Sequence, residues 1–163
     1  MAFAKGIGGG LPLGGFIATE ELASAFETGD HFSTFGGNPV CCAAGLAVLE
    51  VVKEEGLVAR SRRLGDHALR RLGEVAERSS LVGEVRGKGL MIGVELVREK
   101  KRPADREAAK VKEGLKRLGF IIGVGGLHKN VLRLQPPLII SEKELDTAVD
   151  ALESTLRATS DRD

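Results

Sequence analysis

Leu81-Val82-Gly83-Glu84-Val85-Arg86-Gly87-Lys88-Gly89-Leu90-Met91-Ile92-Gly93-Val94-Glu95-Leu96-Val97 reads as two short strands, Leu81–Arg86 and Leu90–Val97, folded back at a tight Gly87-Lys88-Gly89 turn. On its N-terminal side, residues 57–79 place Leu57, Leu64, Ala68, Leu72, Val75 and Ala76 on one helical face. Arg63, Arg70, Arg71, Glu74 and Arg78 cover the other, which reads as solvated. On its C-terminal side come a charged loop, 98–104, and a helix from Asp105 to Leu118 that stops at Gly119. Two further strands follow, Phe120–Val124 and Val131–Leu134. Ser141-Glu142-Lys143-Glu144 is a capping box opening a last helix, faced by Leu145, Val149, Leu152 and Leu156. The tail after Ala158 is expected to fray. The order α-β-β-α-β-β-α over residues 57–157 suffices for a small layered α/β or α+β domain.

The first 56 residues have a different character. They hold 10 of the first 45 positions as glycine, out of 22 in the whole chain. Gly14–Ala18 reads as a short buried strand, Thr19 as the cap of a helix from Glu20 to Phe26, and residues 28–37 as a loop. Asn38-Pro39 is a helix start, with Asn at the cap and Pro at the first helical position. Val40–Leu49 is apolar all round, turns polar at 50–55 and stops at Gly56. Such a helix needs burial on every side, and this segment holds too little chain to supply it. Exposed Val, Leu or Ala is therefore expected on the helix over 39–55.

Charge follows the same division. Residues 1–58 carry a net −5 and residues 59–163 a net +6, leaving +1 overall. That balance excludes binding to nucleic acid through bulk charge. No apolar run approaches the ~18 residues of a membrane span. The start, Met1-Ala2-Phe3-Ala4-Lys5, has no signal-peptide pattern. Cys41 and Cys42 are adjacent and cannot build an ordinary disulfide framework, so a reducing, cytoplasmic compartment is expected.

Three sites stand out for chemistry. Lys5 is the only basic side chain before Lys53 and sits among Ala, Phe, Ile and glycine. A lysine desolvated in an apolar pocket loses its proton readily and becomes an amine nucleophile. The plainer reading is an exposed lysine near the start of the chain. His31-Phe32-Ser33-Thr34-Phe35-Gly36-Gly37-Asn38-Pro39 gathers hydroxyls, backbone amides and a helix start, which suits a phosphate as well as an ordinary helix-opening loop. Arg133 lies between apolar strand residues just before Pro136-Pro137. It reads either as a bidentate carboxylate ligand or as an outward-facing strand residue. The Gly83–Gly89 segment is too short for a P-loop, and Gly8-Gly9-Gly10 and Gly123-Val124-Gly125 lack the third glycine of a dinucleotide site. His31, His67 and His128 have no metal-ligand spacing, so no metal is expected.

Taken in order, four of these segments resemble the class III pyridoxal-phosphate aminotransferases, with the aspartate-aminotransferase (fold type I) α/β architecture. Ala4–Gly15 looks like the cofactor-lysine segment and His31–Pro39 like the phosphate-contact loop. Val85–Glu95 looks like the strand pair of the C-terminal domain. Leu132-Arg133-Leu134-Gln135-Pro136-Pro137-Leu138 looks like the late substrate-side segment. The resemblance implies transfer of an amino group between an amino acid or amine and a 2-oxo acid. It gives Lys5 the covalent link to pyridoxal phosphate and the proton transfer, Thr34 a contact to the cofactor phosphate across a homodimer interface, and Arg133 a substrate carboxylate. It also divides the chain into residues 1–56, the end of a large cofactor-binding domain, and 57–163, a small α/β domain.

In that family the phosphate cup, the ring stacked on the cofactor and the aspartate paired with the pyridinium nitrogen precede the lysine motif. The chain therefore reads as the C-terminal portion of such an enzyme. The alternatives are a catalytically incompetent truncated chain, or a mutase or decarboxylase of the same fold.

Overall fold

The computed structural model describes residues 1–160, with Lys100 by its backbone only. The chain divides into two compact units, residues 1–57 and a second that begins at Val58.

In the first unit, β1 (Ala2–Phe3) pairs antiparallel with β2 (Gly15–Phe16). The buried strand expected over Gly14–Ala18 is thus a two-residue exposed one: Phe16 and Ile17 are about 60% exposed. Too little chain stands over it to exclude water. α1 is a single turn, Glu20–Ala23, and the Thr19 side chain makes no capping bond. α2 runs Pro39–Glu54, and the Asn38 carboxamide oxygen accepts from the amides of Val40 at 3.0 Å and Cys41 at 3.3 Å. The cap read from sequence is therefore in place. Only Gly45 of α2 is buried, while Val40, Leu46, Leu49 and Val51 are exposed.

The second unit closes around one sheet. α3 (Leu57–Arg78) precedes β3 (Val82–Lys88) and β4 (Met91–Leu96), then α4 (Asp105–Arg117), β5 (Gly123–Gly125), β6 (Val131–Leu134) and α5 (Glu142–Ser160). The sheet order is β3-β4-β6-β5, all neighbours antiparallel. Lys88 pairs with Met91, so the hairpin turns at Gly89-Leu90, two residues later than the expected start of the turn. Gly89 takes a positive φ of 55°, the conformation glycine adopts without a steric cost. The charged loop contains a short helical turn, Glu99–Lys101. α5 stays helical to Ser160, beyond the point where fraying was expected; residues 161–163 lie outside the described residues.

One face of the sheet carries the core. Ile92, Val94, Leu96, Leu132 and Leu134 meet Leu64, Leu72, Val111, Leu115, Leu145, Val149, Leu152 and Leu156 from the three helices. Each fully buried side chain of this kind contributes about 1.5–3 kcal/mol relative to exposure. Gly65 of α3 lies against the hairpin turn so closely that a Cβ would stand 2.3 Å from the Gly89 carbonyl oxygen.

The polar face of α3 is not simply solvated. Arg71 bonds Asp146 at 2.8 Å and Asp150 at 2.6 Å, and Arg63 reaches Glu142 at 2.7 Å. Arg70 can only donate, so His67 Nδ1 accepts from it, and Nε2–H then donates to Asp146 at 2.7 Å. At the start of α5, the Ser141 amide donates to Glu144 at 2.8 Å while the Glu144 amide donates back to Ser141 Oγ at 3.2 Å. This is the capping box read from sequence.

The contrast between units is measurable. Leu72→Ala should lower stability by about 2–5 kcal/mol in urea titration, whereas Leu46→Ala should stay within about 0.5 kcal/mol in this chain. Equal losses would contradict the exposed face of α2.

The acid limb of stability has a definite sign. The hydrogen bond from His67 holds the Asp146 carboxyl below its usual 3.8, against the opposing desolvation. Arg86 does the same for Glu95, and Ser141 for Glu144, each below the usual 4.5. Depressed carboxyls contribute stability above the unfolded-state value and lose it as pH falls through the folded-state value. Urea stability should therefore hold from neutral pH down to about 4.5 and decline below it. Asp146→Asn should make that decline shallower; an unchanged slope would detach Asp146 from it.

Candidate active site

The turn that carries Lys5 is built by α2. Residues 5–8 form one turn of 3-10 helix, entered from an extended Ala4 and left through Gly9, whose amide donates to the Gly6 carbonyl at 3.1 Å. Gly45 lets this segment lie directly on α2: a Cβ there would stand 2.4 Å from Leu13 and 3.5 Å from the Ile7 carbonyl oxygen. Lys5 itself has a φ of +60°, a left-handed backbone that side chains rarely adopt. Such strain gathers at functional positions.

The Lys5 side chain is exposed, so these residues do not by themselves supply the desolvating pocket that one of its two readings from sequence requires. Among the described residues no acid pairs with it. Next to it, a Cβ on Gly6 would meet nothing within 4 Å, so the approach beside the lysine is open.

Thr34 begins a turn over residues 34–37, four residues before the cap of α2. It is exposed, and among the described residues no hydrogen bond occupies its hydroxyl. Phe32 and Phe35 beside it are more than 80% exposed. Lys5 and Thr34 thus share the first unit, while Arg133 belongs to the second.

Arg133 stands on β6, on the face of the sheet opposite the core. Its strand neighbours at that level are Gly93 of β4 and Gly123 of β5. The side chain lies over β5: a Cβ on Gly123 would stand 3.1 Å from Nη2, and one on Gly125 3.1 Å from Nε. It faces away from the core, a position that both of its readings from sequence allow. An unpaired guanidinium so placed still has its five N–H donors available to a carboxylate. Among the described residues no acid holds it.

The same face carries a cluster that sequence reading passed over. Arg86 Nη1 donates to Glu84 at 2.6 Å and to Glu95 at 2.7 Å, and Asn130 donates to Glu95 at 3.4 Å. Strand alternation and opposite charges on facing strands were the available signal. An apolar cavity of about 560 Å³ opens between Phe120–Ile122 and Pro136–Ile140, lined by core-side residues rather than by Arg133.

The family model described as Aminotransferase class-III matches residues 1–156. The chain belongs to this family.

Alanine–glyoxylate aminotransferase 2, mitochondrial, of Pongo abelii is 41% identical over 160 residues, covering 96% of this chain and 31% of that protein. The leucine/methionine racemase of Thermococcus litoralis is 44% identical over 158 residues, covering 96% of this chain and 35% of that protein. An amine transaminase structure from an uncultivated Pseudomonas species, in its PLP-bound form, has a TM-score of 0.86 at 34% identity. That match covers 96% of this chain and 38% of the other. The chain spans about a third of the length of the curated relatives it matches. Its fold is that of the fold type I aminotransferases, and membership in class III implies pyridoxal phosphate. The residues present fit that cofactor: an amine free of acidic partners, an open approach beside it, and an unengaged hydroxyl. No helix among the described residues is long and apolar enough to cross a membrane.

The backbone at Lys5 gives a direct test. Lys5→Gly should be more stable than Lys5→Ala by about 1 kcal/mol, because only glycine adopts a left-handed φ without cost. Thermal unfolding of the two variants checks this; equal midpoints would mean that the positive φ carries no strain.

Proposed function

We propose that the protein carrying this chain is a pyridoxal-phosphate-dependent aminotransferase. It moves an amino group between an amino acid or amine and a 2-oxo acid. The observation that carries the reading is Lys5, an unpaired amine on a glycine-flanked turn in a chain that matches the class III family over residues 1–156. When bound, pyridoxal phosphate supplies the electron sink for cleavage at the substrate's amine-bearing carbon. Lys5 Nζ anchors the cofactor as a nucleophile and, as a free amine, carries a proton at that carbon. Thr34 Oγ1 donates to the cofactor phosphate of a neighbouring subunit in a homodimer. Arg133 orients a substrate carboxylate through paired N–H donors. Residues 1–56 act as the end of the large cofactor-binding domain and 57–163 as the small domain. A reducing, cytoplasmic setting suits a chain whose two cysteines, Cys41 and Cys42, are adjacent and cannot build an ordinary disulfide framework.

A second reading has one specific support. The racemase relative matches at 44% identity, no lower than the aminotransferase relative at 41%. In racemisation Lys5 takes the proton from the amine-bearing carbon, no amino group leaves, and a proton returned to the opposite face of that carbon inverts it. Product analysis separates the two: release of a 2-oxo acid supports transfer, and appearance of the opposite enantiomer alone overturns it.

Borohydride reduction of the cofactor-loaded full-length protein, followed by peptide mapping, should place the pyridoxyl group on Lys5. Recovery on Lys53 or Lys88 would sink the assignment. Lys5→Ala should abolish turnover. Thr34→Val should weaken cofactor binding by about 1–3 kcal/mol, the range of a charge-assisted hydrogen bond.

A further inference from the structure

The geometry assigns Arg86 a positioning role: it holds Glu95 away from Arg133 and so keeps Arg133 free for a carboxylate. The inference rests on the carboxylate role of Arg133 proposed above.

The sheet register places one acid between two arginines. Arg86 faces Gly93, and Gly93 faces Arg133 on the other side. One row along, Glu84 faces Glu95, and Glu95 faces Val131. Glu95 is therefore the diagonal neighbour of both Arg86 and Arg133. Diagonal positions in an antiparallel pair lie about 7–8 Å apart, within reach of long side chains. Gly93 puts no side chain between them.

The structure shows which arginine the acid takes. Glu95 Oε2 accepts from Arg86 at 2.7 Å, and its other oxygen accepts from Asn130 at 3.4 Å. Asn130 is itself buried and fixed by a 2.8 Å bond to the Leu96 carbonyl, so it braces Glu95 from below. Glu84 adds a second acid on the same Arg86 nitrogen. Arg133 meanwhile leans the other way, over Gly123 and Gly125. Two acids and one arginine thus form a closed group, and the second arginine is left out of it. An arginine already paired within the sheet would have to break that pair before accepting a substrate. Arg86 removes that competition by occupying the only acid that the register brings diagonal to Arg133 on β4.

The test uses the full-length protein with Arg86→Gln, Glu95→Gln, the double variant and Arg133→Gln. Phenylglyoxal labels unpaired guanidinium groups, and peptide mapping reads the rate at Arg133. In Arg86→Gln, Glu95 is released to pair with Arg133, and labelling there should slow about two- to fivefold, the effect of an exposed ion pair. The double variant should label at the wild-type rate, since Glu84, the acid that remains, stands on β3 with the whole of β4 between it and Arg133. A wild-type rate in Arg86→Gln, or a double variant that stays slow, overturns the inference. Should Arg86→Gln fail to fold, Arg86→Met keeps the stem over the strands and carries the same test.

Pyruvate protection separates the two claims. Pyruvate should slow Arg133 labelling in the wild type and protect less in Arg86→Gln. If it protects neither, while the labelling contrast between Arg86→Gln and the double variant holds, the carboxylate role of Arg133 fails and the Arg86–Glu95 restraint on Arg133 stands.

Discussion

The register of the β3-β4-β6-β5 sheet is the constraint on which the second unit depends. Side chains alternate along each strand, so Ile92, Val94, Leu132 and Leu134 enter the core while Arg86, Glu95 and Arg133 face away. A slip of one residue on β6 would bury the Arg133 guanidinium and expose Leu132 and Leu134. Burying that charge without a partner costs far more than the exposed leucines alone. The apolar core thus fixes the position of the arginine through the backbone.

Much of this fold was legible because its signals are local and periodic. The 57–79 helix announced its buried face through Leu64, Ala68 and Leu72, and the Ser141–Glu144 box announced the start of α5. The order of elements followed from turn residues and spacing. What sequence did not show was set by pairing across the chain. The turn at Gly89-Leu90 was displaced because Lys88 extends the ladder by pairing with Met91. The basic face of α3 read as solvated because its partners, Glu142, Asp146 and Asp150, lie some 75–79 residues away in the chain.

The candidate site was legible in a different way. Lys5 stood out as a lone cation among apolar residues, but its left-handed backbone and the part Gly45 plays beneath its turn arise from packing between segments some 40 residues apart, which spacing alone does not encode. Arg133 could be noticed but not oriented, since strand alternation permits either face until the pairing is known. Glu95 and Arg86 lie at the two ends of the Val85–Glu95 segment that resembles the family's strand pair, but spacing alone assigned neither a role. Their meaning comes from the absence of a side chain at Gly93, the one position that separates the two arginines across β4.

The edges of the sheet carry a consequence for self-association. β3 is an outer strand seven residues long, with unpaired backbone groups along one side, and such an edge can template the addition of a strand from another molecule. Its sequence offers Glu84, Arg86 and Lys88 there, and a bulge interrupts its register between Val82 and Glu84. Charges and bulges are the features that discourage such templating. The opposite edge, β5, is only three residues long and two of them are glycine, too short to seed a ladder. Within this chain the sheet thus ends in a charged margin on one side and a brief one on the other, the two features that discourage growth into a fibril.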